Sequence, residues 1–219
     1  MAFQSPNDAR PADKVALAAI GVTIAIHLAI RVTSDRPSTA FIAGACLFWI
    51  GFVVVRARQD PGVFRDWGFR TENLWRSSAA CLALFCIGAA AMALFAASMG
   101  SFMFPIHTLA LFLIYPIWGL IQQFLALGIV VTNLIRIPAL RRRPLAVVLG
   151  AAVLFGLIHT YDWRLAAATF LLELAVIPIY LRFHNLWPIG ILQGWLGALF
   201  YLWILHEDLW AETLGGGAF

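Results

Sequence analysis

Gln122, Gln123, His159, Glu173 and Gln193 are polar or ionisable side chains set inside long apolar runs. An unpaired polar group at such a depth costs several kcal/mol, so each is expected to face the interior of a helix bundle or an enclosed polar cavity. The residue types limit the chemistry. His159 is a titratable base, Glu173 is the acidic residue that lies well inside a run, and Asp162 follows His159 by three positions. A glutamine amide donates and accepts hydrogen bonds but takes up no proton at neutral pH. His159 acting as a base therefore needs a group to orient it and donors to stabilise an oxyanion; an N–H of Gln193 is a candidate for the latter. The plainer reading is interhelical hydrogen bonding, worth about 0.6 kcal/mol per bond in a bilayer. Gln122 and Gln123 are neighbours about 100° apart on a helix, which predicts that they serve different partners.

The elements that must position these residues are membrane helices. The chain has 219 residues, 62% hydrophobic and 12% charged, with a mean hydropathy of +0.86. That charge content is about half of a soluble domain's. Runs near 14–33, 39–55, 77–98, 104–132, 145–160, 164–182 and 186–205 approach the roughly 20 residues that span a 30 Å hydrocarbon core, giving an all-α bundle of seven helices. An eighth is conceivable in 56–76. That segment, "RARQDPGVFRDWGFRTENLWR", mixes arginines with Phe64, Trp67, Phe69, Leu74 and Trp75 and reads as an amphipathic piece at the interface, with an ordinary solvated loop as the alternative. A polar stretch, 1–13, precedes the first run, and no cleavage-site pattern follows that run, so it is expected to remain as an anchor. Residues 1–219 form a single membrane domain, without repeats.

Twelve of the fifteen Lys and Arg residues fall on one side of a seven-span path. The excess of positive charge in cytoplasmic loops then puts the N-terminus inside and the "LGGGAF" tail outside the plasma or inner membrane. Nucleic acid is not the partner this basicity indicates. Cys46, Cys81 and Cys86 lie within apolar runs and read as packing residues. One histidine among amides makes no metal site, and no cofactor is indicated. A retinal Schiff base is excluded because Lys14, near the N-terminus, is the single lysine. His27 and His107 read as local packing residues; His184, Asn185 and His206 are expected to face water.

Three motifs recur in order: "QQFLAL" (122–127), "FGLIH" (155–159) and "HNLWPIGILQGWLGAL" (184–199). With the connector "RIPALRRRPLAVVL", this order resembles the CAAX-protease and bacteriocin-processing family, intramembrane glutamic endopeptidases that include the type II CAAX prenyl proteases. That family shows EExxxR, then FxxxH, then NLWPxxxxHxxxN. The resemblance defines a core over 113–205 and implies an intramembrane-protease-like helical fold. It also implies a site in which a glutamate and a histidine activate water against a peptide carbonyl.

The departures fall on the chemistry. Gln122 and Gln123 stand at the two glutamate positions, Leu127 at the arginine, Gln193 at the second histidine and Gly197 at the Asn or Asp; Phe155 and His159 match. The pattern implies a neutral polar cavity lined by Gln122, His159 and Gln193. Gln123, Phe155, Glu173, Trp195 and Gly197 are expected as binding residues around it, with side chains of the lining residues within about 8 Å of one another. The expected function is a non-hydrolytic homologue that binds a lipid-modified or hydrophobic ligand or assists other membrane proteins in a complex. The alternatives are an active endopeptidase that uses His159 with Asp162 or Glu173, and an unrelated transporter or sensor. Depth bears on the alignment: at 1.5 Å per residue, Gln122 lies about 21 Å from Arg136, whereas Gln193 lies only about 12 Å from Asn185.

Overall fold

A computed structural model describes residues 10–33, 38–208 and 210. The first nine residues of the polar N-terminal stretch, Arg36 and the "LGGGAF" tail lie outside them. Every regular element among the described residues is helical: α1 (Lys14–Thr33), α2 (Thr39–Gln59), α3 (Val63–Asp66), α4 (Leu74–Ser98), α5 (Thr108–Gln123), α6 (Thr132–Leu134), α7 (Pro138–Arg141), α8 (Pro144–Leu157), α9 (Trp163–Phe183) and α10 (Leu186–Phe200). Between α5 and α6 the helix continues in π geometry over Phe124–Val131, and α10 is extended by a π turn over Tyr201–Leu205.

Among the described residues, six helices are long and apolar enough to cross a membrane: Lys14–Thr33, Thr39–Gln59, Leu74–Ser98, Thr108–Leu134, Trp163–Phe183 and Leu186–Leu205. The run expected as a seventh span is the 14-residue α8, about 21 Å long against a hydrocarbon core of about 30 Å. Only 6% of the most apolar window of α2 is buried. Exposed Phe48, Ile50 and Val55 on α2 thus need an apolar solvent around the protein, which a bilayer supplies.

Two compact units divide the chain, Met1–Arg70 with Phe124–His184 and Thr71–Gln123 with Asn185–Phe219. In the first, the π-helical segment is the core: Leu127, Ile129 and Val131 have no exposed surface, and α1, α8 and α9 pack around it. The 63–70 segment is docked in this unit. Phe64 is exposed, but Val63, Asp66, Trp67 and Arg70 are buried, and the Trp67 ring meets Phe124 at 5.0 Å. Gly68 has φ +99 and would place a Cβ 2.9 Å from the Tyr180 ring, so glycine alone fits this turn. Asp66 pairs with Arg136 at 2.6 Å, His184 Nε2 donates to the Asp66 carbonyl at 2.8 Å, and the Tyr180 hydroxyl donates to the Trp67 carbonyl at 3.0 Å.

The expectation that His184 and Asn185 face water is overturned, for they are 7% and 0% exposed. His184 ends α9 in the left-handed region, φ 49, a position that disfavours a non-glycine residue and is held by its bond to Asp66. Asn185 caps α10 through the Trp187 N–H and donates to the Asn73 side chain at 2.9 Å. His206 is exposed, as expected.

In the second unit α10 packs on α5 and α4. Gly190 and Gly194 sit one turn apart on α10, and an added Cβ at either would meet backbone of α5: 2.7 Å from Leu120 Cα for Gly190, 2.5 Å from Pro116 Cα for Gly194. In return, a Cβ on Gly119 would lie 2.7 Å from Gly194 N. Small residues let two membrane helices approach backbone to backbone, which is where their association energy arises.

Candidate functional site

The close approach of α5 and α10 brings three amides together. Gln123 donates through Nε2 to the Gln193 Oε1, and Gln193 donates through its own Nε2 to Gln122 Oε1 at 2.6 Å. Gln193 therefore accepts from one glutamine and donates to the other. Neighbouring glutamines were expected to serve different partners because of their 100° offset. They share one here because an amide has two hydrogen-bonding ends and the glycine contact lets Gln193 reach between them. Gln123 and Gln193 are buried, and Gln122 is half-buried.

The neighbours of this ladder are also engaged. Pro116 lies inside α5 and has no N–H to give to the carbonyl four residues back, that of Phe112. The indole Nε1 of Trp195 donates to that carbonyl at 2.9 Å, replacing the missing helical bond. A Cβ on Gly197 would touch the Tyr115 ring at 3.1 Å, so its hydrogen leaves the tyrosine room. Leu127, at the position of the family's arginine, is fully buried in the first unit.

Phe155, His159, Asp162 and Glu173 belong to the first unit. His159 Nδ1 contacts the Phe155 carbonyl at 2.7 Å. A carbonyl only accepts, so Nδ1 carries a proton in this contact. That backbone bond helps orient the histidine, whose ring rests on Phe155 with centroids 4.7 Å apart. The Asp162 carboxylate caps α9 through the Arg164 and Leu165 N–H groups and binds the Arg164 guanidinium. Those bonds, the guanidinium's first, hold it below the usual carboxylate range. Glu173 is buried on α9, 1% exposed. His27 Nε2 donates to the Ile158 carbonyl at 2.9 Å, and Arg31 donates to the Thr160 carbonyl at the same distance.

Chemically, the amide ladder can fix two helices but cannot move a proton, while His159 is a titratable base held at Nδ1 by backbone. Among the described residues, no three His, Cys, Asp or Glu side chains are grouped to hold a metal ion. The sequence reading missed the buried cluster of Asp66, Arg136, Tyr180 and His184, since nothing in the spacing of these residues links them. It also missed the Gly190–Gly194 pair, for which the glycine-x-x-x-glycine spacing was a legible signal. Comparison with protein-family models, curated proteins and solved structures finds no match.

Proposed function

We propose that this chain is a non-hydrolytic membrane protein on the plan of the intramembrane glutamic endopeptidases, which holds a hydrophobic or lipid-modified partner in the bilayer without cutting it. The observation that carries the reading is the ladder Gln123–Gln193–Gln122. The positions at which the resembled family keeps two carboxylates and a histidine hold amides bonded to one another. A carboxylate base contributes roughly 10²–10⁴ in rate, and loss of oxyanion stabilisation removes about 10²–10³ more. Without them, peptide hydrolysis falls below a useful rate.

The proposed path crosses the bilayer seven times, with α8 as the short crossing, the N-terminus and 133–144 cytoplasmic, and 206–219 outside. Two sets of contacts support it. Ile158 and Thr160 meet His27 and Arg31 near the end of α1, whereas Asn133 meets Asp13 near its start, and Arg136 and His184 both meet Asp66. The charge asymmetry of the sequence supports the orientation.

A farnesylated CAAX peptide carrying a benzophenone tests the function. Purified protein is expected to cross-link to the probe and leave its peptide bonds intact. Cleavage that disappears in His159→Ala would establish an enzyme, and absence of both labelling and cleavage would remove the binding role.

A further inference from the structure

At the start of α8 three arginines meet a strip of uncovered hydrocarbon. Arg141, Arg142 and Arg143 are all exposed, directly before Pro144. On the helix that follows, Leu145, Leu149, Val153 and Leu157 are 67%, 43%, 48% and 47% exposed. Their four-residue spacing stacks them on one helix face, running away from the arginines.

Helix length adds a second reason. α8 has 14 residues and its neighbour α9 has 21, so α8 is about 10 Å shorter. A span shorter than the hydrocarbon core draws the bilayer surface toward its end or recruits groups that compensate. Guanidinium groups at such an end favour phosphate, which they bind in a planar, two-point fashion.

We propose that an anionic phospholipid occupies this flank, its phosphate on Arg141–Arg143 and an acyl chain along the Leu145–Leu157 face. An acidic protein or a nucleic acid would match the charge but make no use of the apolar row, which is why lipid is the occupant. The assignment requires α8 to lie across the bilayer, and it is independent of whether the glutamine site is hydrolytic.

Thermal stability of the full-length protein in detergent, titrated with dioleoylphosphatidylglycerol or dioleoylphosphatidylcholine, tests it. The anionic lipid is expected to raise the melting temperature and the zwitterionic one to leave it unchanged. A juxtamembrane arginine contributes about a factor of five to anionic-lipid affinity, so R141Q/R142Q/R143Q should raise the half-effective concentration on the order of a hundredfold. The control K14Q/R58Q/R182Q, which removes the same charge from other exposed positions, should shift the half-effective concentration by a smaller factor than the triplet variant. Should the triple variant insert poorly, R142Q alone is expected to shift the titration about fivefold, and Leu149→Gln should weaken lipid binding with every charge kept. Equal losses in the triplet and control variants would overturn the site as diffuse electrostatics. So would an equal response to phosphatidylcholine, full competition by inorganic phosphate at matched ionic strength, or tighter binding of a polyglutamate peptide than of the lipid.

Discussion

Gly194→Ala is the sharpest test of the helix contact that assembles the glutamine ladder. The added methyl would lie 2.5 Å from Pro116 Cα, 2.6 Å from Pro116 N and 2.8 Å from Tyr115 C, all backbone atoms that no rotamer change can move. Carbon atoms rest at about 3.5–4.0 Å, so α10 must retreat from α5 by roughly 1 Å or more. Gln193 is the adjacent residue and moves with it. Its 2.6 Å bond to Gln122 then stretches beyond about 3.5 Å, where a hydrogen bond no longer counts as one. Overpacking costs about 1–3 kcal/mol, and two interhelical amide bonds add about 0.6 kcal/mol each. The expected loss is therefore about 2–4 kcal/mol. At roughly 2–4 °C per kcal/mol for a chain of this size, the melting temperature should fall by about 5–15 °C. Gln193→Leu spares the backbone contact but takes a ladder partner from the buried Gln123 and from Gln122, and should cost about 1–3 kcal/mol. Thermal unfolding in detergent, followed by the monodisperse fraction on size exclusion, reads both. A Gly194→Ala protein within about 0.5 kcal/mol of the parent would refute the close approach.

Trp195→Phe should cost about 1–3 kcal/mol by leaving the Phe112 carbonyl unpaired in apolar surroundings, and the cost should shrink in a Pro116→Ala background, where an α5 N–H can take that carbonyl; a double-mutant cycle with no coupling would count against this. Arg136→Leu leaves the Asp66 carboxylate, 6% exposed at its side chain, without its closest cation and should cost about 3–5 kcal/mol. Adding Asp66→Asn should recover part of that loss in a denaturation series. Burial pushes the His184 imidazole down to about 4 from an ordinary 6.5. The folded state thus binds fewer protons than the unfolded chain between these values. The contribution is complete above about pH 6.5 and is lost as pH falls toward 4, by on the order of 3 kcal/mol. His184→Gln should flatten the stability profile in that window, and an unchanged slope would exclude His184 as its source.

Composition and run length alone specify a helical, multi-pass chain, because a bilayer core accepts little backbone except helix, and about 20 apolar residues in a row have few other uses. They also single out Gln122, Gln123 and Gln193 as polar groups in need of partners. Which partners they take is a tertiary matter. An angle of 100° between neighbours is a property of one helix, whereas Gln193 reaches both glutamines because Gly119, Gly190 and Gly194 let two backbones touch. Trp195 shows the same limit. A proline inside a helix signals a carbonyl left open, but only packing delivers an indole N–H to Phe112. Hydropathy counts α8 as a span without showing that it ends after 14 residues. The segment from Val63 to Arg70 and the His184–Asn185 corner read as interfacial or wet by composition. Asp66, Trp67 and His184 are buried because Asp66, Arg136, Tyr180 and His184, distant in sequence, satisfy one another, and mutual hydrogen bonding is what makes burying such groups affordable.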